Sequence, residues 1–237
     1  MSNWQRARSE EQVAQRVEAI LAAAARVFET MSYEEVTLQT ISREAGFTRS
    51  NIYRYFETRE AIFLRLYRDD VERWVADLRA ELSERASANV PGVRSPAAGD
   101  KAPGARTPPP PALPAFVDLW SEVLLRQERL LRLTPLLSLS LERNSSEALY
   151  REFKEFSARI MEEAAEFLRP YLPALSREQI FDFFLVHQAL VAGAQPMCRY
   201  SQMQERVLEA PELAPLRMKL GPFYRRTILA YLRGLAV

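Results

Sequence analysis

A chain of 237 residues with 48% apolar content can bury a sizeable core, as one large domain or two smaller ones, and its seven glycines and scarcity of β-branched runs favour helices. A net charge of +1 gives no support for nucleic acid, membrane or acidic substrate, so any such partner must be argued from motif and geometry. Cys198 is the single cysteine, which excludes an intrachain disulfide; the polar start MSNWQRARSEEQ lacks a secretory core, and no run approaches the roughly 18 apolar residues of a spanning helix, so no membrane partner is expected and the expected location is the cytoplasm.

Residues 1–11 read as a disordered arm, in which Arg6 and Arg8 either reach a groove or phosphate or sit in a solvated tail. From Gln12 to about Thr30, Val13, Val17, Ile20, Leu21, Ala24, Val27 and Phe28 recur at helical spacing and predict a long amphipathic helix, after which Tyr33 and Val36 lead into the next element. The stretch from Thr37 to Arg59, TLQTISREAGFTRSNIYRYFETR, carries the chemistry. Thr37 is a good N-cap, because its hydroxyl can accept an orphan backbone N–H, and Leu38, Ile41 and Ala45 then form one apolar stripe. Gly46 supplies the left-handed residue with which a chain leaves a helix, and Phe47 plugs the turn into the core. Thr48 is placed to cap a second helix in which Ile52 and Phe56 face inward while Arg49, Ser50, Asn51, Tyr53 and Arg54 occupy the other faces. This is a helix-turn-helix whose second helix is expected in the major groove of double-stranded DNA. Arginine pairs bidentately with guanine, asparagine with adenine, and serine or tyrosine bonds phosphate. Eight arginines stand against eight glutamates over residues 1–59, yet from Ala45 to Phe56 there are Arg49 and Arg54 and no acid.

Thr58 to about Arg85 predicts another long helix, with Ile62, Phe63, Leu66, Tyr67, Val71, Trp74, Val75, Leu78 and Leu82 on a broad apolar face. Residues 86–114 hold eight of the fifteen prolines and three of the seven glycines and read as a disordered insertion, with Pro108 to Pro111 either a spacer or a polyproline ligand. Ala115 to about Leu133 predicts a helix containing Trp120 and Leu124, and Pro135 then starts a short segment, PLLSLSLER. Ser145 or Ser146 opens a helix to about Leu168 that Pro170 and Pro173 end. Ser176 and Gln179 form a capping box for a helix from about Arg177 to Gln195, and a last helix runs from about Pro211 to Leu235, where Pro215 and Pro222 imply a late start or a kink.

Enzyme signals are missing: there is no G-x-S-x-G, no H-E-x-x-H, no C-x-x-C and no phosphate-cradling glycine loop. A di-iron bundle would need Glu-x-x-His on two helices, and His187 is the single histidine. No catalytic residue, metal site or cofactor is therefore expected. Trp120, Leu124, Tyr150, Phe153, Phe184 and His187 are candidates to line a small-molecule site between helices; aromatics at helical spacing are equally core, and His187 is equally a core histidine with a satisfied partner.

Between about residues 12 and 65 the chain resembles the tetracycline-repressor (TetR) family of bacterial transcription factors. The resemblance rests on Ala24 and Phe28; on Thr37, Ile41, Ala45 and Gly46; on Tyr53, Tyr55 and Phe56; and on Arg59-Glu60-Ala61-Ile62-Phe63, all in order. It implies an all-α chain with a DNA-binding head at 12–60, and a ligand-binding and dimerisation body at 61–237 interrupted by the 86–114 insertion. It further implies a homodimeric repressor of a palindromic operator, released by a small apolar or aromatic effector. Thr37, Thr48, Tyr53 and Arg59 would hold phosphates, while Arg49, Ser50, Asn51 and Arg54 face base edges or nearby phosphate. The position after Tyr-x-Tyr-Phe is often basic in the family and is Glu57 here, a carboxylate that repels phosphate and shifts anchoring to Thr58 and Arg59. The last two helices, about 178–195 and 212–235, would form the dimer interface; Ala189, Ala192 and Gly193 permit close approach of a helix, from a partner or from within the chain. The alternative reading is a helical ligand-binding dimer without operator recognition.

Overall fold

The structure is a computed structural model that describes residues 3–88 and 112–235. Among the described residues every regular element is helical, and no helix is long and apolar enough to cross a membrane. The chain forms two compact units, one from the described residues of Met1–Val71 with Arg132–Ser157, the other from those of Glu72–Leu131 with Ala158–Val237.

The first unit opens with α1 (Asn3–Thr30), followed by α2 (Leu38–Ala45), α3 (Arg49–Ile52) and the start of α4 (Arg59–Ala88). From Asn3 onward the expected arm is helix, a correction to the disordered reading of residues 1–11. The segment holds no glycine or proline and is rich in Arg, Glu and Gln, so α1 continues outward on propensity. The core is aromatic: Phe28 and Tyr33 meet Phe63 edge-on at 5.3 and 5.2 Å between ring centroids, with Ile20, Ile41 and Ile52 fully buried around them. Arg132 lies 4.1 Å above the Phe28 ring and its Nη2 donates to the Phe28 carbonyl at 2.6 Å, so the charged group closes the end of α1 while its face covers an aromatic.

In the second unit α4 reaches Ala88 and α5 (Leu113–Leu125) begins at Leu113, so the ends of the expected 86–114 insertion are helical; residues 89–111, with the proline run, lie outside the described residues. The single helix expected over 115–133 is two, α5 and α6 (Glu128–Leu136). No glycine or proline marks the break. Side-chain anchoring sets it: Arg126 binds Glu81 at 2.6 Å and Gln127 Nε2 donates to Asp77 at 2.9 Å, which ties the turn to α4. Pro135 does not start a segment but sits inside α6, where it removes one N–H donor, and a wider turn over Leu137–Leu141 follows at once, with Glu142 N bonded to the Leu137 carbonyl at 2.9 Å. Then come α7 (Glu147–Leu168), α8 (Arg177–Met197), α9 (Gln202–Leu208), a 3-10 turn (Pro211–Leu216) and α10 (Leu220–Leu235). The last helix starts late, and α9 was not anticipated.

Four polar aromatics hold this unit together. Trp74 stacks on His187 at 5.0 Å and meets Trp120 edge-on at 4.9 Å. Trp120 Nε1 donates to the Tyr224 hydroxyl at 2.7 Å, and that hydroxyl contacts His187 Nδ1. Indole N–H can only donate, so Tyr224 accepts from Trp120 and passes its own proton to His187. Nδ1 of His187 must therefore be an acceptor, which requires the neutral ring.

Burial agrees, holding the His187 imidazole far below its usual value, at about 3. The unfolded chain binds this proton below about pH 6.5 and the folded chain does not, so stability falls as pH drops from 6.5 towards 3. Urea unfolding at pH 7 and pH 5 is expected to differ by roughly 2 kcal/mol from this residue. His187→Gln is expected to be less stable at pH 7 and to lose that pH dependence.

Candidate nucleic-acid interface

Each turn of the Thr37–Arg59 stretch is closed by its own residues. Thr37 Oγ1 accepts from Thr40 N at 3.1 Å and Thr40 Oγ1 accepts from Thr37 N at 2.9 Å, a reciprocal cap for α2. Gly46 ends α2 at φ 69°, with Gly46 N bonded to the Arg43 carbonyl at 3.2 Å and Phe47 N to that of Ser42 at 2.9 Å, the paired bonds of a left-handed C-terminal stop. Thr48 Oγ1 accepts from Asn51 N at 3.3 Å and so starts α3. The hydroxyl of Thr48 accepts in that bond, which leaves its proton available for a phosphate oxygen.

The α3 helix is a single turn, shorter than the sequence implied, and residues 53–55 form a turn in its place; Ile52 and Phe56 are nevertheless both buried. Arg49, Ser50, Tyr53 and Arg54 are exposed together. Arg49 Nη2 donates to the Tyr53 hydroxyl at 2.8 Å and its guanidinium lies 5.4 Å from the ring centroid, so the two side chains present one linked surface. The Arg54 side chain forms no ion pair or hydrogen bond among the described residues. An open groove of about 590 Å³ runs beside it, walled by Gln12, Val13 and Arg16 of α1 and by Thr48, Ser50, Asn51, Arg54 and Tyr55. Gln12 and Arg16 were missed from sequence. Their signal was the i, i+4 spacing of two polar residues along the edge of the apolar stripe of α1.

Two of the expected contacts are placed differently. Asn51 has its Oδ1 enclosed and without a hydrogen-bond donor among the described residues, so the amide is not presented for bidentate pairing with adenine in this conformation. Arg59 is turned inward, away from the phosphate role: Nη1 donates to the carbonyls of Tyr33 at 2.9 Å and Val36 at 2.6 Å, Nη2 pairs with Glu60 at 3.1 Å, and the guanidinium lies 4.1 Å from the Tyr33 ring centroid. The Tyr33 hydroxyl donates to Glu60 at 3.0 Å, and burial pushes its proton affinity up to about 12. Thr58 caps α4 by accepting from Ala61 N at 3.1 Å. Glu57 accepts from the Ser146 hydroxyl at 2.6 Å, so this carboxylate is bonded within its own unit.

The six candidates for a small-molecule site divide between the units. Trp120, Leu124, Phe184 and His187 belong to the second, whereas Tyr150 and Phe153 belong to the first. There Phe153 packs against Tyr67 at 5.9 Å and half-exposed Tyr150 lies under the Lys154 ammonium at 5.1 Å. The second unit adds two residues that sequence reasoning passed over, Tyr224, bonded to His187, and Trp74, whose buried Nε1 has no acceptor among the described residues.

Residues 20–66 match the N-terminal domain described as bacterial regulatory proteins, tetR family, and residues 68–237 match a tetracyclin repressor-like C-terminal domain. An HTH-type transcriptional repressor of Mycobacterium tuberculosis is 34% identical over 68 residues, which is 29% of this chain; the match spans only 36% of that repressor. A solved structure of the fatty acid degradation regulator FadR from Bacillus halodurans shares the fold, with a TM-score of 0.54 at 16% identity over 93% of this chain and 96% of that one.

Arg54 and Arg59 are expected to behave oppositely on removal. Arg59→Ala leaves two carbonyls and a carboxylate short of a donor and is expected to lower unfolding free energy by roughly 1–3 kcal/mol. Arg54→Ala is expected to change it by no more than about 0.5 kcal/mol while weakening binding to duplex DNA. Urea unfolding and a duplex titration on both variants check this; the reverse pattern would put Arg59 at the DNA.

Proposed function

The chain belongs to the TetR family of bacterial regulatory proteins, and from that premise we propose that it is a homodimeric repressor that grips a palindromic operator and is released by a small apolar or aromatic effector. As a family member it is a DNA-binding transcriptional regulator rather than an enzyme. The observation that carries the DNA reading is the cation-bearing face of the α3 turn, where Arg49, Ser50, Tyr53 and Arg54 stand exposed beside the groove. Arg49 and Arg54 read base edges or bond phosphate, Ser50, Thr48 and Tyr53 bond phosphate, and Thr37 orients α2 through its cap. Asn51 joins them if DNA draws its amide outward. Repression places the protein with DNA in the cytoplasm.

The homodimer is supported by α8. Leu185, Ala189, Gly193 and Met197 recur every four residues along its exposed side, with Leu185 60% and Met197 64% exposed. Gly193 costs a helix interior about 1 kcal/mol relative to alanine. Nothing in its own chain explains it, since among the described residues a Cβ there meets no atom within 4 Å. Close approach of a second helix from another copy explains it. Two heads on a two-fold axis then meet two half-sites, which is why the operator is palindromic.

The effector is assigned to the second unit. Trp120, Leu124, Phe184 and His187 offer apolar and aromatic surface, and the unpartnered Nε1 of Trp74 supplies a donor that a bound molecule would satisfy. To release DNA, that molecule must bind the free form more tightly than the DNA-bound form, by about 1–3 kcal/mol of coupling.

Selection of bound fragments from a random duplex pool tests the reading, followed by a salt titration on the winner. A two-fold symmetric site is expected, with affinity falling by roughly one log unit per log salt for each phosphate neutralised. Arg49→Ala on that site is expected to cost roughly 1–3 kcal/mol and relax one base position; a uniform loss across sequences would make it a phosphate contact. If no sequence is enriched at low salt, the protein is a helical ligand-binding dimer without operator recognition. Gly193→Leu separates the dimer from the fold: it is expected to leave thermal stability of the monomer intact or raised, and to weaken both self-association and operator binding.

A further inference from the structure

Between α8 and α10 the chain makes an excursion whose ends are tied together, the Tyr200 hydroxyl accepting from Met218 N at 2.8 Å. Its two helical pieces are well specified by sequence. Ser201 and Gln204 cap α9 reciprocally, with Ser201 N donating to Gln204 Oε1 at 2.9 Å and Gln204 N donating to Ser201 Oγ at 3.3 Å, and Pro211 opens the 3-10 turn. Yet neither piece buries a single residue. Met203, Val207 and Leu216 stand 59%, 53% and 66% exposed, and Met203 and Val207 share one face of α9 by their spacing of four. A seven-residue helix is marginal in water on its own, so order encoded this strongly calls for a surface that buries it.

Charge identifies that surface. Residues 201–217 carry Glu205, Glu209 and Glu212 against Arg206 and Arg217, whereas α10 carries Arg225, Arg226 and Arg233 and no acid. Arg225 is taken by Asp118 of its own chain. Arg226 and Arg233 are exposed on one side of α10 with exposed Ala230 between them, and among the described residues neither they nor the three glutamates form an ion pair. The apolar side of α8 ends at Met197, immediately before the excursion, so the two surfaces are continuous along the chain.

We propose that residues 201–217 are an arm that packs on the Arg226–Ala230–Arg233 face of α10 in a second copy of this chain, covering Met203 and Val207 and setting Glu205 and Glu209 against the two arginines. The proposal rests on the homodimer reading and adds the element that wraps the partner. Two-fold symmetry makes the contact twice, each arm crossing to the other copy.

Charge reversal on the full-length protein tests it, because all four residues are exposed and the fold does not depend on them. E205R/E209R and R226E/R233E, each alone, place like charges in both contacts and are expected to raise the dimer dissociation constant by roughly tenfold or more in sedimentation runs, with unaltered thermal unfolding. Mixing the two variants sets opposite charges together in both contacts. The mixture is expected to recover the wild-type dissociation constant as a mixed dimer, which an arm folded onto its own α10 could not produce. If wild type dimerises but neither variant weakens it, or if mixing restores nothing, the arm does not meet the partner's α10 and the inference falls while the homodimer stands. A wild-type protein that is monomeric at all concentrations removes both.

Discussion

The guanidinium of Arg59 fixes the geometry on which the recognition surface depends. It begins α4, yet two of its bonds go back to the carbonyls of Tyr33 and Val36, the residues that lead into α2. Glu60, next in sequence, accepts from both Arg59 and the Tyr33 hydroxyl, and the Tyr33 ring lies against the guanidinium. Every member of this partly buried set is used, so it gains from the lower local dielectric instead of suffering from it. Its effect is felt at α3, a four-residue turn that cannot hold its shape alone. With the start of α2 and the start of α4 locked together, the loop and turn between them have little freedom left. A rigid backbone there is what lets Arg49 and Tyr53 hold a fixed direction.

The second unit is ordered by a different kind of polar chain. Trp120, Tyr224 and His187 donate in one direction, each to the next, because indole can only give its proton and the neutral imidazole can receive one. Such a chain specifies a single arrangement of α5, α8 and α10, where purely apolar rings of the same size would allow several. It also keeps the interior uncharged.

What the sequence made legible follows from how local the causes are. Thr37, Gly46, Thr48 and Ser176 act within a few residues of themselves, and each cap or stop lies where its type and spacing put it. The buried stripe of α1 from Ile20 to Phe28 and that of α4 from Ile62 to Leu82 follow from period, whereas Val13, expected on the same face of α1, is exposed. The break between α5 and α6 was not legible, because Arg126 and Gln127 are ordinary helix residues whose partners, Glu81 and Asp77, lie some forty-five to fifty residues back. The intrachain bonds of Arg59 were hidden for the same reason: beside a helix-turn-helix an arginine suggests phosphate, and only the fold reveals two carbonyls within its reach. The excursion between α8 and α10 was hidden by its prolines. Pro215 and Pro222 imply a late or kinked final helix, and the capping box at Ser201 ahead of them went unread.

Glu57 shows how a residue of the wrong charge can be accommodated at a DNA-binding head. Ser146, which donates to its carboxylate, also accepts from Leu149 N at 3.4 Å and so stands at the first turn of α7, where the unpaired N–H groups of a 22-residue helix carry partial positive charge. The carboxylate is drawn towards that helix end and its field is partly offset. A lysine in its place would lose this bond and meet the positive end of α7. The head therefore keeps a carboxylate that is bonded to the first turn of α7 in place of a free cation.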